Sequence, residues 1–183
     1  RGGRTRQEVV ASLDRAAELL SPKQEPATTV RPTLDQLSGL GEAVAWGQDL
    51  AVDLAEWKAG RILWSDVDKG LLLVGPSGTG KTLFAEALAR TCQIPLVVGS
   101  LARWQRNRTG HLGDFLEAMH GAFKQAREKA PAIIFLDELD AVGSRSAFNG
   151  HNASYDVKVV TALLECLDGI DRREGVVAIG ACN

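Results

Sequence analysis

Eight consecutive residues, Gly75-Pro76-Ser77-Gly78-Thr79-Gly80-Lys81-Thr82, set side-chain-free positions before an ammonium and a hydroxyl, an order suited to holding phosphate. Glycines let successive backbone N–H groups converge on phosphate oxygens, and a helix beginning near Lys81 adds its positive end. Lys81 is expected to reach the β and γ phosphates as a mobile point charge, and the Thr82 hydroxyl to complete the shell of a hard cation such as Mg²⁺. Pro76, Ser77, Gly78, Thr79, Gly80 and Leu83 belong to the same phosphate-binding stretch. A second signal is the acid pair Asp137-Glu138. Beside a bound triphosphate, Asp137 would hold Mg²⁺ through water while Glu138 orients the attacking water as a base. Asn183 could hydrogen-bond that water or the γ phosphate.

These groups need a scaffold that brings them to one place. The loop follows the apolar run Leu71–Val74, the acid pair follows Ile133-Ile134-Phe135-Leu136, and Asn183 comes after Val176–Gly180. Ile94–Gly99 is a further short apolar run. Helical spacing separates the runs: Val44 to Trp57, Leu83 to Arg90, Asp114 to Lys129 with Pro131 as its stop, and Val157 to Leu167. Buried strands alternating with helices specify an α/β sheet covered on both faces, and ligands gather beyond the carboxyl ends of such strands. One rim should therefore collect the phosphate loop, the carboxylates and the amide.

Ahead of this domain, Thr5 and Glu8 form a capping box for an amphipathic helix over residues 1–21, and the prolines at 22, 26 and 32 mark a linker over 22–32. The domain proper is read as 33–183. The chain starts at Arg1 without Met and is read as a piece of a longer protein. Its 183 residues are 45% hydrophobic and 24% charged, enough for a core, and 21 Lys and Arg against 23 Asp and Glu announce no nucleic-acid surface. No apolar run approaches the ~20 residues that span a membrane. Cys92, Cys166 and Cys182 match no CxxC spacing, which points to a reducing compartment, cytoplasmic or facing the cytosol. His111, His120 and His151 form no ligand set and no HExxH; no GxSxG is present. His120, on the helix over 114–129, is read as a surface or partly buried residue. Phosphate chemistry is what remains with several independent supports.

At this point the chain resembles the AAA family of ATPases, particularly the large subdomain of the FtsH-like and Cdc48-like branches. Gly75–Thr82 looks like its Walker A motif and Ile133–Asp140 like Walker B. Leu164–Gly169 followed by Glu174–Asn183 is similar to the family's run into sensor 1, placing that residue on Asn183. The resemblance implies a P-loop NTPase fold, a three-layer α/β/α sandwich with a mainly parallel sheet, with the final strand and the C-terminal helical subdomain missing. It also implies ATP or ADP with Mg²⁺, an adenine pocket lined by Gln36, Leu37, Ser38 and Gly39, and assembly into a ring, usually a hexamer. The family's arginine finger and sensor 2 would lie beyond Asn183, so the chain alone is expected to bind nucleotide, to hydrolyse it weakly and to associate little. In unfoldase members an aromatic, an apolar residue and Gly grip the polypeptide. That triplet maps onto His111-Leu112-Gly113, with Trp104 as the alternative grip and a second pore loop near residues 146–156, where His151 and Tyr155 are candidates.

The resulting expectation is an ATP-driven motor that unfolds or remodels a polypeptide substrate. Two alternatives stand beside it: the motor half of a membrane-linked, ATP-dependent zinc protease, with its HExxH elsewhere, and a nucleotide-gated scaffold that does not thread. A basic loop with Arg103, Arg106 and Arg108 is weak support for nucleic acid.

Overall fold

The computed structural model describes residues 31–101, 104, 112–141, 153–169 and 174–183. The expected helix over 1–21, all but the last residues of the linker, the basic-loop arginines, His111 and His151 lie outside them. The domain from Pro32 to Asn183 opens on a 3-10 turn, Leu34–Gln36, where the Gln36 side-chain oxygen accepts from Thr33 N–H at 3.1 Å and Gln36 N–H donates to Thr33 C=O at 3.1 Å. Helix α1 (Gly41–Lys58) leads to strand β1 (Gly70–Val74), helix α2 (Lys81–Cys92) and strand β2 (Leu96–Ser100). Helix α3 (Leu112–Glu128), strand β3 (Ala132–Asp137), helix α4 (Ala153–Asp168) and strand β4 (Val176–Cys182) complete it. Among the described residues no helix is long and apolar enough to cross a membrane.

The strands lie parallel in the order β1-β4-β3-β2, with β3 paired to β4 and β2, and β4 to β1. Side chains alternate between faces along a strand. Ile133 and Phe135 with Val177, Ile179 and Ala181 therefore pack toward α1 and α2, burying Leu50, Leu54, Phe84 and Leu88. Ile134 and Leu136 with Val176 and Ala178 pack toward α3 and α4, burying Phe115, Met119, Phe123 and Val159. Burial on both sides explains why β3 and β4 read as continuous apolar runs rather than alternating ones. The expected three-layer parallel architecture is present. β1 is an edge, and Leu72 and Val74, 56% and 72% exposed, lie along it.

Two local features aim the chain at the rim. Helix α2 starts from Gly80 at φ +89° and closes through Gln93, itself left-handed at φ +53°, with Ile94 N–H bonded to Ala89 C=O at 3.0 Å. The 3-10 turn Leu139–Ala141 folds back after β3, and Leu139 lies directly over Gly180, so closely that a Cβ there would collide with it. Glycine at 180 allows this turn to sit on β4, which fixes where Glu138 leaves the sheet.

Candidate functional site

The loop, the acid pair and the amide meet. Ser77, Gly78, Gly80, Lys81, Thr82, Leu83, Asp137, Glu138 and Asn183 line one cavity of about 320 Å³ at the carboxyl end of the sheet. β1 delivers the loop, which is tied to β4 by Gly75 N–H donating to Cys182 C=O at 3.1 Å. Gly78 and Gly80 take φ +84° and +89°, conformations that a side chain would strain. Thr79 closes the loop internally, its hydroxyl donating to Pro76 C=O at 2.9 Å.

Lys81, half-buried at the first turn of α2, folds back over the loop. Its ammonium donates to the carbonyls of Gly75 and Pro76, the latter at 3.1 Å, and to Asn183 Oδ1 at 3.0 Å. Ser77 Oγ donates to the same Oδ1 at 3.3 Å. Sequence spacing pointed to a phosphate-seeking lysine and to a separate amide at a strand end, and the fold joins them by direct contact.

At β3, Asp137 pairs in register with Ser100 of β2, and the chain then turns at Glu138 with φ +58°. Positive φ in a residue with a side chain is uncommon and marks a backbone held by its surroundings. Asp137 Oδ1 accepts from Glu138 N–H at 2.9 Å, and Glu138 Oε2 accepts from Ser100 Oγ at 2.9 Å. Ser100 is the residue that sequence reasoning missed. It follows the apolar run ending at Gly99, so the strand-end rule that selected the acid pair and Asn183 would have selected it too.

Thr82 and Asp137 both line the cavity. A hydroxyl and a carboxylate are hard oxygen donors, and such a pair beside the glycine loop fits Mg²⁺, which takes one or two protein oxygens and keeps part of its water. Among the described residues no group of three or more His, Cys, Asp or Glu could hold a metal without such help.

Gln36, Leu37, Ser38 and Gly39 do not line this cavity. Gln36 is exposed and its side-chain oxygen accepts from Thr33 N–H at 3.1 Å. Gly39 borders a second groove, with Leu40–Ala43 and Leu71–Val74, along the β1 edge. Leu40 connects the two regions, since a Cβ on Gly80 would stand 3.9 Å from its Cδ1.

Trp104 departs from its expected place in an exposed loop. It is half-buried, meets Phe115 edge-on at 5.8 Å between centroids, and covers Gly99, where a Cβ would fall 2.6 Å from its ring. A large ring gains more from burial than from exposure, and Gly99 leaves the space it needs. Leu112 opens α3 and packs, half-buried, against the same core. His120 is exposed, as expected.

The family model described as ATPase family associated with various cellular activities (AAA) matches residues 71–183. ATP-dependent zinc metalloprotease FtsH 2 of Methylacidiphilum infernorum is 37% identical over 163 residues, 82% of this chain and 23% of that protein. FtsH 1 of Symbiobacterium thermophilum, also an ATP-dependent zinc metalloprotease, is 34% identical over 179 residues, 90% of this chain and 28% of its own length. The YME1 homolog of Caenorhabditis elegans, of the same description, is 32% identical over 163 residues, covering 89% and 22%. The chain thus spans between 22% and 28% of these relatives. The crystal structure of the FIGL-1 AAA domain matches with a TM-score of 0.65 at 25% identity, over 82% of this chain and 48% of that one, and its complex with ADP with 0.61.

Proposed function

The chain belongs to the AAA family of ATPases, and from that premise we propose that it is the motor half of an ATP-dependent zinc metalloprotease, assembling with copies of itself to drive a polypeptide toward a protease site. Identity of 32% to 37% over most of the chain to relatives of that description carries the protease reading. The chain has no HExxH, so the zinc site would belong to another part of the protein. A cytosol-facing site of action agrees with three cysteines that match no CxxC spacing.

In this reading the phosphates of ATP lie against the loop of Gly75–Thr82, where backbone N–H groups and the start of α2 supply positive potential without any moving charge. Lys81 leaves the loop carbonyls for the β and γ phosphates. Thr82 and Asp137 would hold Mg²⁺, which when bound neutralises charge developing between the phosphates. Glu138 accepts a proton from the attacking water and fixes its direction, helped by the Ser100 hydroxyl. Asn183 offers its amide donors to the γ phosphate or the water. Gln36–Gly39 with Leu40 would border the adenine from the other side of the glycine loop. Loss of the γ phosphate then relaxes Asn183 and the Glu138 turn, and the loops after β2 and β3 transmit this to the substrate. The half-burial of Trp104 favours His111–Gly113 over Trp104 as the polypeptide grip.

The test is degradation of an unfolded protein by the full-length enzyme. Proteolysis should require ATP hydrolysis and stop when Glu138→Gln is introduced while short peptides are still cleaved. Degradation of the unfolded protein that continues without ATP would defeat the motor reading, and absence of zinc-dependent cleavage from the full-length protein would defeat the protease reading.

A further inference from the structure

The chemistry of Asn183 depends on which way its amide points, and two neighbours decide this. Its Oδ1 lies 3.0 Å from Lys81 Nζ and 3.3 Å from Ser77 Oγ. An ammonium has donors only, so the amide atom facing it must be oxygen, and the Ser77 hydroxyl meeting that same oxygen must donate. Both acceptor positions of Oδ1 are then used. The two Nδ2 donors are left for the cavity that Asn183 shares with Asp137 and Glu138.

The two anchors differ in what a nucleotide does to them. Lys81 carries the charge that phosphate oxygens compete for, and it is drawn off Asn183 when they bind. The Ser77 hydroxyl is neutral and sits on the loop itself, so it stays. We propose that Ser77 is the positioning residue of Asn183, holding the amide with its donors toward the γ phosphate after Lys81 has moved. This rests on the reading of the Lys81–Asn183 cavity as the γ-phosphate site. Without Ser77 the amide is free to turn its oxygen toward the phosphate, where two acceptors repel.

Calorimetric titration of the full chain with Mg²⁺ and either ATPγS or ADP tests this. Ser77→Ala should weaken ATPγS roughly three- to tenfold, the worth of one hydrogen bond, while ADP affinity stays within about twofold. Ser77→Thr, which keeps the hydroxyl, should restore the difference. In an Asn183→Ala background, Ser77→Ala should cost nothing more. A purely structural role would shift thermal stability or weaken both nucleotides alike, and either result without the ATPγS-specific loss overturns the proposal. So does a loss of full size in the Asn183→Ala background. Wild-type protein that binds both nucleotides equally, or neither, overturns the γ-phosphate reading itself and the proposal with it, a result visible before any variant is made.

Discussion

At the carboxyl end of the sheet, Lys81, Asp137, Glu138 and Asn183 line a cavity, whereas at the amino end Trp57, Trp64, Ala130, Pro131 and Gly175 fill the space with rings and chain. The Trp57 and Trp64 rings stand 5.0 Å apart, and Gly175 is enclosed so tightly that a Cβ would lie 3.1 Å from Ala130 Cβ and 3.3 Å from Trp57. Gly78 at the other end has a similar φ, +84° against +87°, with nothing within 4 Å of a Cβ. Both ends use left-handed glycines. At the base the glycine serves packing; at the rim it leaves room for something else to approach. Substitutions at the two ends should consequently separate activity from stability.

Glu138→Gln should give the largest effect, a fall in ATP turnover of about 10²- to 10⁴-fold from loss of the general base, with nucleotide still bound. Single-turnover hydrolysis and a urea midpoint measured together check it. A fall in stability as large as the fall in rate would erase the contrast between the ends. Gly175→Ala should act in the opposite sense, costing about 2–4 kcal/mol of stability through strain and crowding while the nucleotide affinity of the folded protein is kept. Urea denaturation alongside nucleotide titration reads both quantities. Gly78→Ala should cost only about 1 kcal/mol of stability, since strain acts there without crowding, yet weaken ATP and ADP alike because the backbone must change to relieve it. If Gly78→Ala proves as destabilising as Gly175→Ala, openness at the rim is not what distinguishes them.

Cys92 supplies the smallest effect. Burial in α2 pushes its thiol up to about 11, and the charge of Lys58 opposes this only in part. A proton held more tightly in the folded than in the unfolded chain stabilises the fold below the unfolded value, near 8.5, and that stability is lost as pH rises toward 11. The urea midpoint of the wild type should therefore decline more steeply than that of Cys92→Ala between about pH 8.5 and 11. Matching slopes would remove Cys92 as the cause. The half-buried Cys182, beside the rim, should react with a thiol reagent before Cys92 does.

The strands and helices were legible because their signals are local: apolar runs of strand length, helical spacing between them, and a glycine loop followed by a helix. The helix borders moved by a few residues, α4 starting at Ala153 rather than Val157, because the first turn of a helix carries little apolar periodicity. Trp104 was misplaced for a different reason. Its neighbours in sequence are polar and basic, and only the juxtaposition of β2 with α3 reveals the site between Gly99 and Phe115 that accepts its ring. The Ser100–Glu138 and Ser77–Asn183 contacts join residues 38 and 106 positions apart, and no periodicity reports such distances.

Taken alone, the order of residues determined which groups could handle phosphate and that they stand at strand ends, since loop chemistry and strand burial are written within a few neighbours. Tertiary structure decided the rest: that β4 lies between β1 and β3, and that Asn183 thereby comes within hydrogen-bond reach of Lys81 and Ser77. Strand order arises from the packing of both faces together, and the direction of an amide from the donors that surround it. Neither is a property of any short stretch of chain.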